Sequence, residues 1–186
     1  MREHSPESSL RASSIALARL AEGAFGVTPA FGQSLVEAAS VCLEDQGHGS
    51  GVNMVVDGSH HAICSLSWSH VTDQCRRTWA DDHEATEHGA YGIAFLLIKH
   101  LKNMTIAERS FRGTGFDYWV GNETSSGILF QRKARLEVSG IRRGSSTMIA
   151  ARVAQKLGQV KGHASPLPAF IIVVEFGEPR SRLLEI

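Results

Sequence analysis

The stretch that most constrains the fold covers residues 113–140 and reads GTGFDYWVGNETSSGILFQRKARLEVSG. It predicts two β-strands, at residues 116–120 and 128–139, because aromatic and β-branched residues are bounded there by glycine-rich and polar turn signals. Asp117 lies within the first strand and Glu137 within the second. A carboxylate in the middle of an apolar strand is costly unless it is paired or binds a cation. We therefore expect the functional site to include these two acids.

Alternation of side chains along the second strand places Arg135 and Glu137 on one face. Two explanations of the acids are open at this point. Glu137 could form an ion pair with Arg135 or Lys133, and Asp117 could pair with Arg112. Alternatively, two acids on one face of neighbouring strands would hold a divalent metal ion.

The clearest helical pattern covers residues 82–102, where apolar residues recur every three or four positions. The stripe consists of Ala90, Ala94, Leu97, Ile98 and Leu101. Continued toward the N-terminus at the same spacing of three and four residues, the stripe includes Glu87 and Glu84. A carboxylate is therefore expected on the buried face at the start of the helix. The alternative is that these acids are solvated and complement the positive end of the helix dipole.

The other patterns complete an α/β fold class. Before residue 82 they predict helices over residues 9–22 and from Pro29 onward, a β-hairpin with strands at 52–56 and 62–68, and a short helix at 71–79. After residue 102 they predict a strand at 104–108, the two strands above, a helix capped by Ser145 or Ser146, a buried strand at 169–176 and a charged tail at 177–186. We divide the chain into an N-terminal helical and hairpin extension, residues 1–81, packed on a core formed by residues 82–186.

Composition narrows the range of functions. The 186 residues carry a formal net charge of +0, so nucleic acid would have to bind through a local basic patch. Three cysteines without close spacing favour a reducing cytoplasm over a disulfide framework. The polar start MREHSPESSL lacks the apolar core of a signal peptide, and the longest apolar run, residues 93–98, is too short to cross a membrane. We therefore expect a cytoplasmic protein that does not bind membranes.

From residue 82 the predicted order is helix, strand, strand, strand, helix, strand. This order, with Asp117 in the second strand and Glu137 in the third, resembles the PD-(D/E)xK nuclease-like fold, also called restriction-endonuclease-like, over roughly residues 82–176. The resemblance implies an αβββαβ core with a mixed central sheet. It also implies Asp117 and Glu137 as ligands of Mg²⁺ (or Mn²⁺), with Glu87 or Glu84 as the acid from the helix.

The chain departs from the family pattern at one position. The family has a lysine two residues after the acid of the third strand, and this chain has Ser139 there. Lys133 and Arg135, on the same strand face, are candidates to replace that lysine, and Arg142 and Arg143 could reach in from the loop that follows the strand. We assign the catalytic role to Lys133. A local basic cluster would bind the nucleic-acid backbone. Its predicted members are Arg142, Arg143, Arg152 and Lys156.

Two functions follow from the resemblance. The first is a metal-dependent endonuclease that hydrolyses DNA phosphodiester bonds, as a component of a defence or DNA-processing complex. The second is a catalytically inactive subunit of the same fold that binds a protein partner or nucleic acid, which Ser139 favours. Either function fits a larger complex or a homo-oligomer. A zinc protease is disfavoured because His83 and His88 are five residues apart and lie on different faces of a helix.

Overall fold

The computed structural model describes residues 12–122, 132–163 and 165–186. Its elements in chain order are β1 (Ser13–Ala16), a 3-10 helix (Leu17–Glu22), α1 (Pro29–Asp45), β2 (Val52–Gly58), β3 (Ala62–Ser67), α2 (Asp73–Thr78), α3 (Asp82–Lys102), β4 (Met104–Arg109), β5 (Tyr118–Asn122), β6 (Ala134–Ile141), α4 (Ser146–Lys161), β7 (Ala169–Glu175) and β8 (Arg180–Glu185). The predicted α/β fold class is confirmed.

All eight strands of the described residues form one mixed sheet in the order β1-β3-β2-β8-β7-β6-β5-β4. β4, β5 and β6 pair antiparallel, and β6 pairs with β7 in parallel. A parallel pair needs a crossover connection, which α4 supplies. The predicted succession of helix, three strands, helix and strand is thus present as α3, β4, β5, β6, α4 and β7. The hairpin β2–β3 extends the same sheet through β8.

Helices cover both faces of the sheet. On one face, α1 and α3 pack on a large apolar core to which β7 contributes Phe170, Ile172 and Val174. On the other face, α4 packs on the alternate residues Ala169, Ile171 and Val173. β7 is therefore buried on both sides, as its continuous apolar run predicts. Since residues of β1, the 3-10 helix and α1 belong to the same core as α3, the first part of the chain shares its interior with the rest.

Two predicted elements are wrong. The helix expected over residues 9–22 is β1 followed by the 3-10 helix, with residues 9–11 outside the described part of the chain. The apolar residues Ile15, Leu17 and Leu20 are buried as expected, but pairing of β1 with β3 overrides the local helical preference. The charged tail expected at 177–186 contains β8, whose alternate residues Ser181 and Leu183 are buried. Its high charge obscured this alternation of period two.

Boundaries of the central strands also differ from the prediction. β5 begins at Tyr118, so Asp117 immediately precedes it. β6 covers Ala134–Ile141, whereas the predicted strand began at residue 128, and residues 128–131 lie outside the described residues. The helix capped by Ser145 runs to Lys161, and the Ser145 hydroxyl accepts a hydrogen bond from the Met148 amide. These shifts leave the predicted element order unchanged.

Candidate functional site

Asp117 forms hydrogen bonds with the two residues of β6 that flank Glu137 in sequence. Its amide donates to the Leu136 carbonyl at 2.9 Å, and its carboxylate Oδ2 accepts from the Val138 amide at 2.8 Å. Burial raises the pKa of Asp117, whereas the Val138 amide and the positive charge of Lys156 oppose this rise. The strand pairing therefore brings the first acid directly beside the second, as the site prediction required.

Glu137 is almost completely buried, with a side-chain exposure of 1%. Its Oε1 accepts hydrogen bonds from Lys156 Nζ at 2.5 Å and from Gln159 Nε2 at 3.2 Å. Its Oε2 is buried and has no hydrogen-bond partner among the described residues. Burial, followed by the negative charge of Asp117, raises the pKa of Glu137 to about 7, and Lys156 opposes this shift.

The third predicted acid, Glu87, lies on α3 and lines the same cavity as Asp117. Tyr91, one turn after Glu87, directs its hydroxyl at Glu87 Oε1, 3.0 Å away, and at Asp117 Oδ1, 3.3 Å away. A phenol has a single proton, so it donates to one of these carboxylates at a time. Glu84, the alternative helix acid, is 63% exposed and lies 3.6 Å from the His88 ring. Of the two candidates on α3, only Glu87 lines the cavity beside Asp117.

Close approach of α3 to β6 depends on a glycine. A Cβ placed on Gly140 would lie 2.5 Å from the Thr86 carbonyl oxygen and 3.1 Å from the Ala90 Cβ. Any larger residue at this position would push α3 away from the strand. Gly140 therefore sets how near Glu87 and Tyr91 of α3 come to the acids of the sheet.

An open cavity of about 540 Å³ lies over these residues. Glu87, Tyr91 and Asp117 form one part of its lining, and four cationic side chains line another. The four are Arg142, Arg143, Arg152 and Lys156, the residues predicted to bind a nucleic-acid backbone. The fold thus brings the predicted basic cluster and two of the predicted acids to one cavity, with Glu137 buried beneath Lys156.

Residues at the C-terminal end of α1 bind the two arginines of the loop after β6, Arg142 and Arg143. Arg142 donates to Asp45 Oδ2 at 2.6 Å and to Cys42 Sγ at 2.7 Å, and it lies 3.3 Å from Asp82. Arg143 donates to Gln46, the C-terminal cap of α1, at 2.8 Å. Residues from the N-terminal extension therefore orient two cations of the cavity.

The cation beside Glu137 comes from α4. Lys133 is exposed at the start of β6 and does not line the cavity. Four residues along a strand separate its Cα from that of Glu137 by about 13 Å. Arg135 donates to the carbonyls of Val160, His163 and Leu167, at the end of α4 and in the loop that follows. The cation in contact with Glu137 is therefore Lys156 of α4, and neither Lys133 nor Arg135 contacts this acid among the described residues.

The ordinary ion pairs proposed for the acids are not the ones observed. Glu137 pairs with Lys156, and no ion pair joins it to Arg135 or Lys133 among the described residues. Asp117 binds the Val138 amide and Tyr91 in place of Arg112. Sequence reasoning missed the hydroxyl bridge of Tyr91, although its spacing of four from Glu87 places both residues on one helix face. The bond from Gln159 had no signal in the sequence.

Within residues 12–122, 132–163 and 165–186, no three His, Cys, Asp or Glu side chains converge as a complete metal-binding group. The cysteines are free; Cys42 and Cys64 are buried, and Cys75 is partly exposed. Burial raises the pKa of Cys42 to about 12, despite the nearby Arg142, so the thiol is not an activated nucleophile. The carboxyl groups of Asp117 and Glu137 are therefore the strongest candidates for a catalytic or metal-binding site.

No helix in the described part of the chain is long and apolar enough to cross a membrane. Comparison with known proteins gives no match: no family model matches the chain, and no curated protein or solved structure is significantly similar to it.

Proposed function

We propose that this protein is a metal-dependent nuclease that hydrolyses DNA phosphodiester bonds, built on a PD-(D/E)xK nuclease-like core. The observation that carries the proposal is the meeting of Asp117, Glu137 and Lys156: Asp117 and Lys156 line one cavity, and Glu137 is buried beside them. Two acids from neighbouring strands and a lysine are the groups that the resemblance implies. Here the lysine comes from the helix after the third strand, so Ser139 does not leave the site without a cation.

The donor set fits Mg²⁺ or Mn²⁺. These ions prefer carboxylate oxygens, and Mg²⁺ retains several waters, so it needs few protein ligands. Glu137 Oε2 is a buried acceptor that lacks a partner among the described residues, beside the Asp117 carboxyl group. Asp117 and Glu137 would hold the ion, with Glu87 as the acid from α3 in the same cavity. Bound there, the ion would lower the pKa of a water and neutralise charge on the phosphate.

The protein's own groups have separate tasks in this proposal. Lys156 places a positive charge beside Glu137, at the cavity wall, where it would stabilise negative charge developing on a phosphate. Tyr91 orients Glu87 and Asp117 through its hydroxyl. Burial raises the pKa of Glu137 to about 7, so a bound cation would favour its carboxylate form.

Cleavage of supercoiled plasmid with Mg²⁺ or Mn²⁺, and with EDTA as the metal-free control, tests the proposal. Asp117→Asn and Glu137→Gln keep the size of each side chain and should each abolish cleavage while leaving thermal unfolding cooperative. Mn²⁺ titration by calorimetry should show binding to the wild type and its loss in both variants. Full cleavage by either variant would contradict the proposal.

A catalytically inactive subunit of the same fold is the second candidate. It is favoured by the engagement of Glu137 Oε1 with both Lys156 and Gln159, which neutralises the acid without a metal. The same calorimetry separates the candidates, because an inactive subunit should bind DNA or a protein partner but give no Mn²⁺ heat that depends on Asp117.

A further inference from the structure

The four cations of the cavity differ in how their charges are compensated. Arg142 lies within ion-pair distance of Asp45 and Asp82, and Lys156 pairs with Glu137. The exposed fractions of these cationic side chains are low, 18% for Arg142 and 20% for Lys156. Without a bound metal ion, these ion pairs leave Arg142 and Lys156 less net charge for a backbone phosphate than an arginine that has no ion pair.

Among the described residues, Arg143 and Arg152 donate hydrogen bonds to neutral side chains. Arg143 Nε donates to Gln46 Oε1 at 2.8 Å, and Arg152 Nη1 donates to Ser139 Oγ at 2.7 Å. In the part of the chain that the structure describes, neither arginine has a carboxylate within ion-pair distance. Both line the cavity, so each presents to it a guanidinium group that has no ion pair.

Both arginines are held in place before any ligand binds. Arg152 lies one helical turn before Lys156, and Ser139 lies two residues after Glu137, so helix and strand form two successive contacts. The stem of Arg143 passes over Gly177, where a Cβ would lie 3.0 Å from Arg143 Cγ. Its loop is fastened by the buried carboxylate of Glu175, which accepts from the Gly144 amide at 3.1 Å. Such preorganisation reduces the entropy lost on binding.

We infer that Arg143 and Arg152 form a clamp for the backbone phosphates of a nucleic acid, and that Ser139 is the positioning residue for Arg152. The inference rests on the proposed function, since it assigns how the same cavity holds its substrate. The clamp also explains a function for serine at position 139, where the family has a lysine. A lysine there would lack the hydroxyl group that accepts the hydrogen bond from Arg152. Arg142 instead holds the loop to α1.

The salt dependence of DNA binding tests the clamp. The probe is a short fluorescein-labelled duplex, titrated by anisotropy in EDTA with the full-length Asp117→Asn protein as the common background. Each phosphate contact contributes about 0.9 to the slope of log K against log salt concentration. Arg143→Gln and Arg152→Gln should each lower the slope by about that amount, and the double variant by about twice as much.

One control carries the same loss of charge. Arg180→Gln should leave the slope unchanged because Arg180 pairs with Glu178 and does not line the cavity. Equal slopes for all three single variants, or no binding of the duplex by the background protein, would overturn the clamp.

The role of Ser139 has a separate readout. Ser139→Ala should weaken binding several-fold with an unchanged salt slope, since the charge of Arg152 remains, and Ser139→Thr should restore the affinity. Unchanged affinity in Ser139→Ala would show that Ser139 does not position Arg152. If the protein binds DNA through the two arginines but cleaves no DNA with Mg²⁺ or Mn²⁺, the proposed nuclease activity is wrong and the clamp stands.

Discussion

Lys156 Nζ lies 2.5 Å from Glu137 Oε1, joining the middle of α4 to the middle of β6. Lys156→Met removes this cation and keeps much of the stem of the side chain. We expect DNA cleavage to fall about 100-fold or more, the usual cost of deleting a group that stabilises transition-state charge. Initial cleavage rates with Mg²⁺ measure the effect.

The matched control for this prediction is Lys133→Met. Lys133 immediately precedes β6, is exposed and does not line the cavity, so its substitution should leave the cleavage rate within about twofold of wild type. A large loss for Lys133→Met with an active Lys156→Met would reverse our assignment of the lysine.

The pKa of Glu137, raised by burial to about 7 from 4.5, predicts how stability depends on pH in metal-free protein. Between these values the folded state binds a proton that the unfolded state has released. The free energy of unfolding should therefore decrease as pH rises from about 4.5 to 7 and level off above 7. The shift corresponds to about 3 kcal/mol at most.

Urea unfolding in EDTA at pH 5 and pH 8 measures this dependence, with Glu137→Gln as the reference because an amide does not titrate. Stability relative to that variant should be lower at pH 8 than at pH 5. A wild type that gains stability over Glu137→Gln between pH 5 and 8 would show that the carboxylate is the favoured form.

The Tyr91 hydroxyl connects an acid of α3 with an acid beside β5. Tyr91→Phe keeps a ring that packs edge-to-face on Tyr118, with centroids 5.2 Å apart, and deletes the hydrogen bonds to Glu87 and Asp117. A hydrogen bond to a charged group contributes about 1.5–3 kcal/mol, so we expect Mn²⁺ affinity to fall roughly 10- to 100-fold. Calorimetry measures it, and an unchanged affinity would remove Tyr91 from the site.

Gly140→Ala tests the approach of α3 to β6. The added methyl group would lie 2.5 Å from the Thr86 carbonyl oxygen, and we expect a loss of about 1–3 kcal/mol in the free energy of unfolding. Gly158→Ala is the control, because its Cβ would meet nothing within 4 Å and alanine favours a helix interior by about 1 kcal/mol. Chemical unfolding of both variants should show opposite signs; a stabilised Gly140→Ala would contradict the packing argument.

Some of the fold could be predicted because its signals are local. The apolar stripe of α3, the acidic cap at Asp81 that precedes it and the uninterrupted apolar run of β7 each lie within one segment, and the structure contains both elements. The helix expected at residues 9–22 failed because its apolar spacing also suits β1 once β3 supplies hydrogen bonds from a distant segment.

For the site, the sequence by itself determined that Glu137 lies within a strand and Asp117 beside another, since alternating apolar residues and turn residues are local signals. Only the tertiary structure decided which cation meets Glu137. Lys133 is nearer in sequence, yet α4 crosses β6 so that Lys156, nineteen residues after Glu137, reaches the carboxylate. The contact depends on how a helix docks on a sheet through apolar residues such as Ile149 and Val153, and no local period encodes that docking.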